Sequence, residues 1–311
     1  MGLTGLENND LKLLIFGGKG GVGKTSCAVA TAMSLAENFK TLLISTDPAH
    51  SVSDCLGQEI GFQVVKVDGS PHLSAIEVFA DEALSSFINA HQAQLKKLLE
   101  TSTNLDNQDI EEMLALSIPG IDEVMSFKTI TDFMEQGEYD KYVVDTAPTG
   151  HALRLISSPK LLDDWIKVAA RMRWKYRYMI TSFSGSYQQD DVDVLLLSLK
   201  KTVKRIENIL RDATRCEFIP VCIPEAMAMR ETERLLLILA NSDIVARQLI
   251  VNNVMVSDEC GFCRRSKASQ LPYLTGINET FRHLNKVEVQ RFAEEIKGLD
   301  ALNKLKMCLF E

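Results

Sequence analysis

The segment Gly18-Lys19-Gly20-Gly21-Val22-Gly23-Lys24-Thr25 constrains this chain more than any other. It fits the phosphate-loop pattern, and its flanks agree: the apolar run from Leu11 to Phe16 reads as a buried strand, and a helix-period stretch follows Thr25. Glycines let backbone N–H groups turn toward phosphate oxygens, and the helix N-terminus adds positive potential. Lys24 supplies a point charge, and Thr25 can ligate Mg²⁺. The alternative is a glycine-rich strand-to-helix turn without a ligand. A second apolar run, Thr41 to Ser45, completes a strand-helix-strand unit.

Further short apolar runs at Leu73–Val78, Lys141–Asp145, Phe218–Ile223 and Leu249–Asn252 alternate with helical sequence. That alternation predicts an α/β fold, a doubly wound and mostly parallel sheet. Between 81 and 138, and again between 158 and 213, helical periodicity runs without strands. Residues 1–80, 139–157 and 214–311 are therefore expected to form a nucleotide-hydrolase core, and the two helical blocks one inserted subdomain that does not separate from it. A chain of 311 residues is long enough for this arrangement.

Three side chains stand out around the loop. Asp145 ends a strand and is placed to hold Mg²⁺ directly or through water, and Asp47 ends the strand Thr41–Ser45 region at the same sheet edge, where a carboxylate could orient an attacking water. Either could instead cap a turn. Lys19 is a second lysine that a phosphate loop does not require. It is a solvated loop residue, or it contacts phosphate across a dimer interface as an arginine finger does elsewhere.

Charge and cysteine usage narrow the partners. The formal net charge is −8, so no basic field exists for counterion release, and nucleic acid is not expected. Residues 1–10 carry no apolar core of signal-peptide length, and no run of about 18 apolar residues occurs. The seven cysteines, odd in number and scattered, argue for a reducing, cytoplasmic compartment rather than a disulfide framework. Only Cys260 and Cys263 are close. Two thiolates supply half of a tetrahedral zinc set, and two copies of the chain about a two-fold axis would supply all four; a redox pair or two incidental thiols are the alternatives.

These features together resemble the deviant phosphate-loop ATPases, a family that contains arsenite-pump ATPases and ATPases that target tail-anchored membrane proteins. The likeness is nearly full length and rests on Gly17 to Thr25, Asp47-Pro48-Ala49-His50, Ile118 to Glu123, Asp145 to His151 with Leu153 and Arg154, and Pro224-Glu225 leading to Glu231-Thr232-Glu233-Arg234. Two positions depart from the family pattern: Ser51 stands where asparagine is usual, and Gln290 stands at about the place of a proline near adenine.

The resemblance implies a homodimeric ATP hydrolase with ATP, Mg²⁺ and Zn²⁺. In it Lys19 acts across the dimer, Asp47 orients water in switch I, and Asp145 lies near Mg²⁺ in switch II. It also implies that Asn252 reads adenine, that Glu225 approaches nucleotide from the partner subunit, and that Cys260 and Cys263 form a zinc clasp. The methionines of the helical blocks, Met113, Met125, Met134, Met172 and Met179, with Trp165, would line a groove for the transmembrane helix of a tail-anchored client, although apolar stripes at helical spacing are usually core. Delivery would then need a membrane receptor, with peripheral association at the target membrane, the endoplasmic reticulum in a eukaryote. The alternative within the family is the ATPase subunit of an arsenite efflux pump, which needs three converging thiols from Cys27, Cys55, Cys216, Cys222 and Cys308.

Overall fold

The computed structural model describes residues 2–102, 121–147, 159–171 and 190–311. In chain order the strands are β1 (Leu13–Gly17), β2 (Thr41–Ser45), β3 (Val65–Lys66), β4 (Leu73–Glu77), β5 (Lys141–Asp145), β6 (Cys216–Cys222), β7 (Gln248–Val254) and β8 (Asn285–Gln290). The helices are α1 (Lys24–Leu35), α2 (Ser51–Leu56), α3 (Ala80–Ser102), α4 (Ile121–Gln136), α5 (159–171), α6 (Asp191–Arg211), α7 (Ala226–Asn241), α8 (Gly261–Thr280) and α9 (Gly298–Phe310).

All eight strands form one sheet in the order β3-β4-β2-β5-β1-β6-β7-β8. Every pairing is parallel except β3 with β4. Strands β1, β2, β4, β5 and β6 are buried at every position, as parallel strands covered on both faces must be. Successive residues enter different cores: Val221 and Ile250 join one cluster, whereas Cys222, Leu249 and Val251 join another with Ile277 and Phe281 of the α8 end. The expected doubly wound α/β sheet is thus present. Two strands, β3 and β8, lie outside the expected set.

The chain divides into two compact units. The first comprises Met1–Phe79, Asp132–Leu153 and Ile209–Glu311, and the second Ala80–Thr131 and Arg154–Asn208. Residues 132–138 and 209–213, assigned above to the helical blocks, thus fall with the sheet unit. The end of α4 is anchored there by the Tyr142 hydroxyl, which donates to the Phe133 carbonyl at 2.8 Å. The turn after α6 is likewise tied to β1, through the Leu13 N–H to the Arg215 carbonyl.

In the second unit, Leu98, Ala169, Val192 and Leu196 form a small core with Trp165 against it. Met125 lies within α4 where residues 123–127 are all buried, so it serves packing rather than an exposed lining, contrary to the groove expectation. Met134 and Trp165 are half-buried. Met113, Met172 and Met179 lie outside the described residues. Among the described residues, no helix is long and apolar enough to cross a membrane.

Candidate nucleotide site

Strand β1 is central, between β5 and β6: the chain passes from it to β2 on one side, and later crosses from β5 to β6 on the other, so the direction of winding reverses at β1. The crevice at the carboxyl ends of such strands is where α/β folds bind ligands. The loop after β1 turns into α1 through Gly23, whose φ is +88°, a conformation costly for other residues. A Cβ on Gly23 would also collide with the Asn252 side-chain amide, which donates from Nδ2 to the Val22 carbonyl at 2.8 Å. Helix α1 is rich in alanine and is buried on the sheet together with Leu302, Leu305 and Leu309 of α9. This packing fixes the helix N-terminus behind the loop.

Lys24 and Thr25 open α1. The Lys24 Nζ donates to the Lys19 carbonyl at 3.4 Å, and the Thr25 hydroxyl donates to Asp145 Oδ2 at 2.7 Å. Register puts Asp145 level with Phe16 on one side and Ser45 on the other, so its carboxylate lies directly beneath the loop. Asp145 is fully buried. Burial pushes it up to about 7, against the opposing pull of the Thr25 hydrogen bond and the Lys24 charge, with Asp47 and Glu77 adding to the rise. Burial also lowers Lys24, while Asp145 and Asp47 oppose that shift.

Asp145 Oδ1 and Asn252 Oδ1 are buried without a hydrogen-bond partner among the described residues. Buried orphans of this kind mark a place for a ligand. With the Thr25 hydroxyl they form a hard-oxygen set that suits Mg²⁺ at one end, and an amide acceptor suited to a base amino group at the other.

Between them lies a cavity of about 510 Å³, lined by the loop and Lys24, Thr25 and Ser26, by Asp47, Ala49, Ser51, Asp54 and Cys55, by Asn252 and Asn253, and by Phe292 with Glu294 to Lys297. The volume is that of a nucleotide-sized site. Of the sequence-predicted residues, Gly20, Gly21, Gly23, Lys24, Thr25, Asp47 and Asn252 line it, and Asp145 supports its floor through Thr25. Gly18, Lys19 and Val22 belong to the same loop without lining the cavity. Glu225 is exposed before α7 and does not reach it. The Phe292–Lys297 wall had no motif to announce it.

The aspartate at position 47 is half-buried, and its Oδ1 accepts the Ala49 N–H at 3.1 Å. The flanking residue Thr46 donates its N–H to the Asp145 carbonyl at 2.9 Å. Beyond the loop, Glu77 at the end of β4 is fully buried, and no motif pointed to it. Its Oε2 pairs with His50 Nδ1 at 2.7 Å, and its Oε1 accepts from the Ser53 N–H at 3.2 Å and the Ser53 hydroxyl at 3.1 Å.

Away from the cavity, Cys260 and Cys263 sit at the start of α8 with their sulfurs 2.9 Å apart. The hydrogen bond from Cys263 lowers the Cys260 thiol and raises its neighbour's. Both are accessible, unlike Cys27, Cys55, Cys216 and Cys222. Among the described residues, no three His, Cys, Asp or Glu side chains converge as a metal site within one chain. The pair is soft and offers half of a tetrahedral set.

A central strand, a phosphate loop with its lysine and hydroxyl, and a buried aspartate beneath them define a phosphate-loop nucleotide hydrolase. Residues 11–311 match the family described as anion-transporting ATPase. The chain is 32% identical over 309 residues to ATPase ASNA1 homolog 1 of Paramecium tetraurelia, covering 96% of this chain and 92% of that one. It is 32% identical to ATPase get3 of Aspergillus terreus and 33% identical to ATPase get3 of Aspergillus niger, in each case covering 98% of this chain and 92% of the relative. The chain belongs to the anion-transporting ATPase family, and it is an ATP-hydrolysing enzyme.

Proposed function

We propose that this ATPase works as a homodimer in the cytoplasm, holding the C-terminal transmembrane helix of tail-anchored membrane proteins and delivering them after translation to a receptor at the target membrane. The observation that carries the reading is likeness over nearly the whole of both chains to single-core ATPases: this chain covers 92% of each relative, leaving no room for a second core. An arsenite pump ATPase resembles a tandem duplication, and the chain has one phosphate loop.

ATP binds with its phosphates on the loop and Lys24, and with its base toward Asn252. The Thr25 hydroxyl, with Asp145 behind it, would hold Mg²⁺, which would supply neutralisation of phosphate charge. Asp47 orients the attacking water, and Lys19 reaches the phosphates of the facing subunit, which draws two copies together. Glu225, exposed on each copy, approaches the partner's nucleotide. Cys260 and Cys263 of two copies would together supply the four thiolates for one Zn²⁺, which would clamp the dimer.

A transmembrane helix of about 20 residues is about 30 Å long and apolar all round, so a single apolar face shields only one side of it. Exposed Leu161, Val168, Val194 and Leu197 support an apolar face on that unit. Closure on ATP joins two such faces, and hydrolysis releases them.

The test is light scattering on the Asp47→Asn protein with ATP and Mg²⁺, mixed with a C-terminal transmembrane-helix peptide or a charge-disrupted control. The reading expects a nucleotide-dependent dimer that co-elutes with the apolar peptide alone. A dimer that takes up neither peptide removes the client role, and arsenite becomes the next ligand to try.

A further inference from the structure

We infer that His50 and Glu77 form a latch that sets the position of the Asp47 carboxylate, so that both act as positioning residues for hydrolysis. The inference rests on the reading of Asp47 as the water-orienting group.

The segment from Thr46 to Ser53 is tied to β5 at its start and to β4 at His50 and Ser53, and between them the Asp47 N–H donates to the Ser45 hydroxyl at 3.2 Å. At its start, the Thr46 N–H is bonded to the Asp145 carbonyl at 2.9 Å. At its end, Glu77 takes His50 Nδ1 at 2.7 Å, the Ser53 N–H at 3.2 Å and the Ser53 hydroxyl at 3.1 Å. The two anchors belong to β5 and β4, the strands on either side of β2, in one register, since Ser45 of β2 is level with both Asp145 and Glu77. Asp47, Pro48 and Ala49 therefore bridge two fixed carboxylate-bearing strand ends, and among the described residues the hydrogen bond of the Asp47 side chain is local, from the Ala49 N–H.

Glu77 is the costlier half of the latch. A carboxylate with no solvent exposure persists only where partners satisfy it, and here three donors do so, all from the segment after Asp47. His50 is the adjustable half. Its side chain is 62% exposed, and its backbone holds φ +51°, a left-handed conformation that a non-glycine residue keeps only when something holds it. Its carbonyl accepts the Asp54 N–H at 3.2 Å, and its side chain is held by the Glu77 contact and the edge-on ring of Phe79, 4.9 Å away. Loss of the Nδ1 donor frees the Asp47 end of the bridge while leaving the loop, Lys24 and Thr25 untouched. That separates turnover from binding.

Residue 50 allows a clean test because it is exposed. His50→Gly keeps the left-handed backbone without strain and removes the donor. His50→Asn places an amide N–H at the same reach from Cβ as Nδ1 and also tolerates that backbone. Steady-state ATP hydrolysis, ADP affinity and amide exchange over residues 47–53 would be measured for both, with Asp47→Asn alongside. The expected result is that His50→Gly lowers kcat about tenfold or more, speeds exchange over 47–53 and leaves ADP affinity within about twofold, while His50→Asn recovers most of the turnover and protection.

Wild-type kcat in His50→Gly, or an equal loss of kcat and ADP affinity in both variants, overturns the latch. Undiminished hydrolysis in Asp47→Asn overturns the Asp47 reading first, and the exchange data then report whether the bridge is held by His50 at all.

Discussion

Asp145 shows how a single carboxyl can be tuned by what covers it. Free in an unfolded chain it would ionise near 3.8, but beneath the loop its value is about 7. The folded protein thus holds this proton more tightly than the unfolded chain. Stability from this group is complete at acid pH and falls as pH rises from about 4 to 7, by at most about 4 kcal/mol. In the nucleotide-free protein, Asp145→Asn removes the burden, because the amide is neutral throughout and its oxygen still accepts from Thr25. Urea unfolding should find the variant equal to wild type at pH 4 and more stable by about 1–3 kcal/mol at pH 8. A variant less stable at pH 8 would mean that attraction to Lys24 outweighs burial. The variant should lose hydrolysis despite its added stability, a trade common at sites built for charge.

At the scale of elements, α6 carries two neighbouring leucines with different duties. Leu196 is 6% exposed and belongs to the small core with Val192, Ala169 and Leu98, whereas Leu197 is 50% exposed on the next side of the helix. Leu196→Ala should cost about 2–4 kcal/mol in unfolding, and Leu197→Ala less than about 0.5. Under the client reading only Leu197→Ala weakens peptide uptake without a stability change, measured by co-elution.

Such a division is visible to periodicity, and six of the eight strands were visible as well, because parallel strands covered on both faces leave continuous apolar runs. Strand β8 escaped for the opposite reason: Asn285-Lys286-Val287-Glu288-Val289-Gln290 sits at the sheet edge and alternates buried with exposed, so only two of its residues look like core. Two-residue β3 leaves no pattern. In the site, the loop and Asp145 announced themselves because phosphate chemistry dictates their types and spacing. Glu77 did not, since a glutamate ending an apolar strand acquires meaning only when His50 and Ser53 fold back onto it.

For the whole molecule, the paired thiols at the head of α8 carry the assembly prediction. Replacing Cys260 and Cys263 together by serine should abolish bound zinc and shift light-scattering mass from dimer toward monomer at micromolar concentration, with little effect on unfolding of the single chain, because both thiols are accessible and outside the cores. An unchanged dimer with unchanged metal content would refute the clasp.

The same connectivity that centres the phosphate loop also sets a schedule for biogenesis. Strand β1 pairs with residues 142–145 on one side and 216–220 on the other, so a ribosome must extend the chain to residue 220 before this strand has both neighbours. Until then Leu13 to Phe16 keep at least one edge of the strand unpaired. The loop behind it cannot close, and a nucleotide offers no early help. Synthesis of this ATPase should therefore depend on holding factors at the ribosome over that interval, and a slowed ribosome between residues 145 and 216 would prolong its exposure.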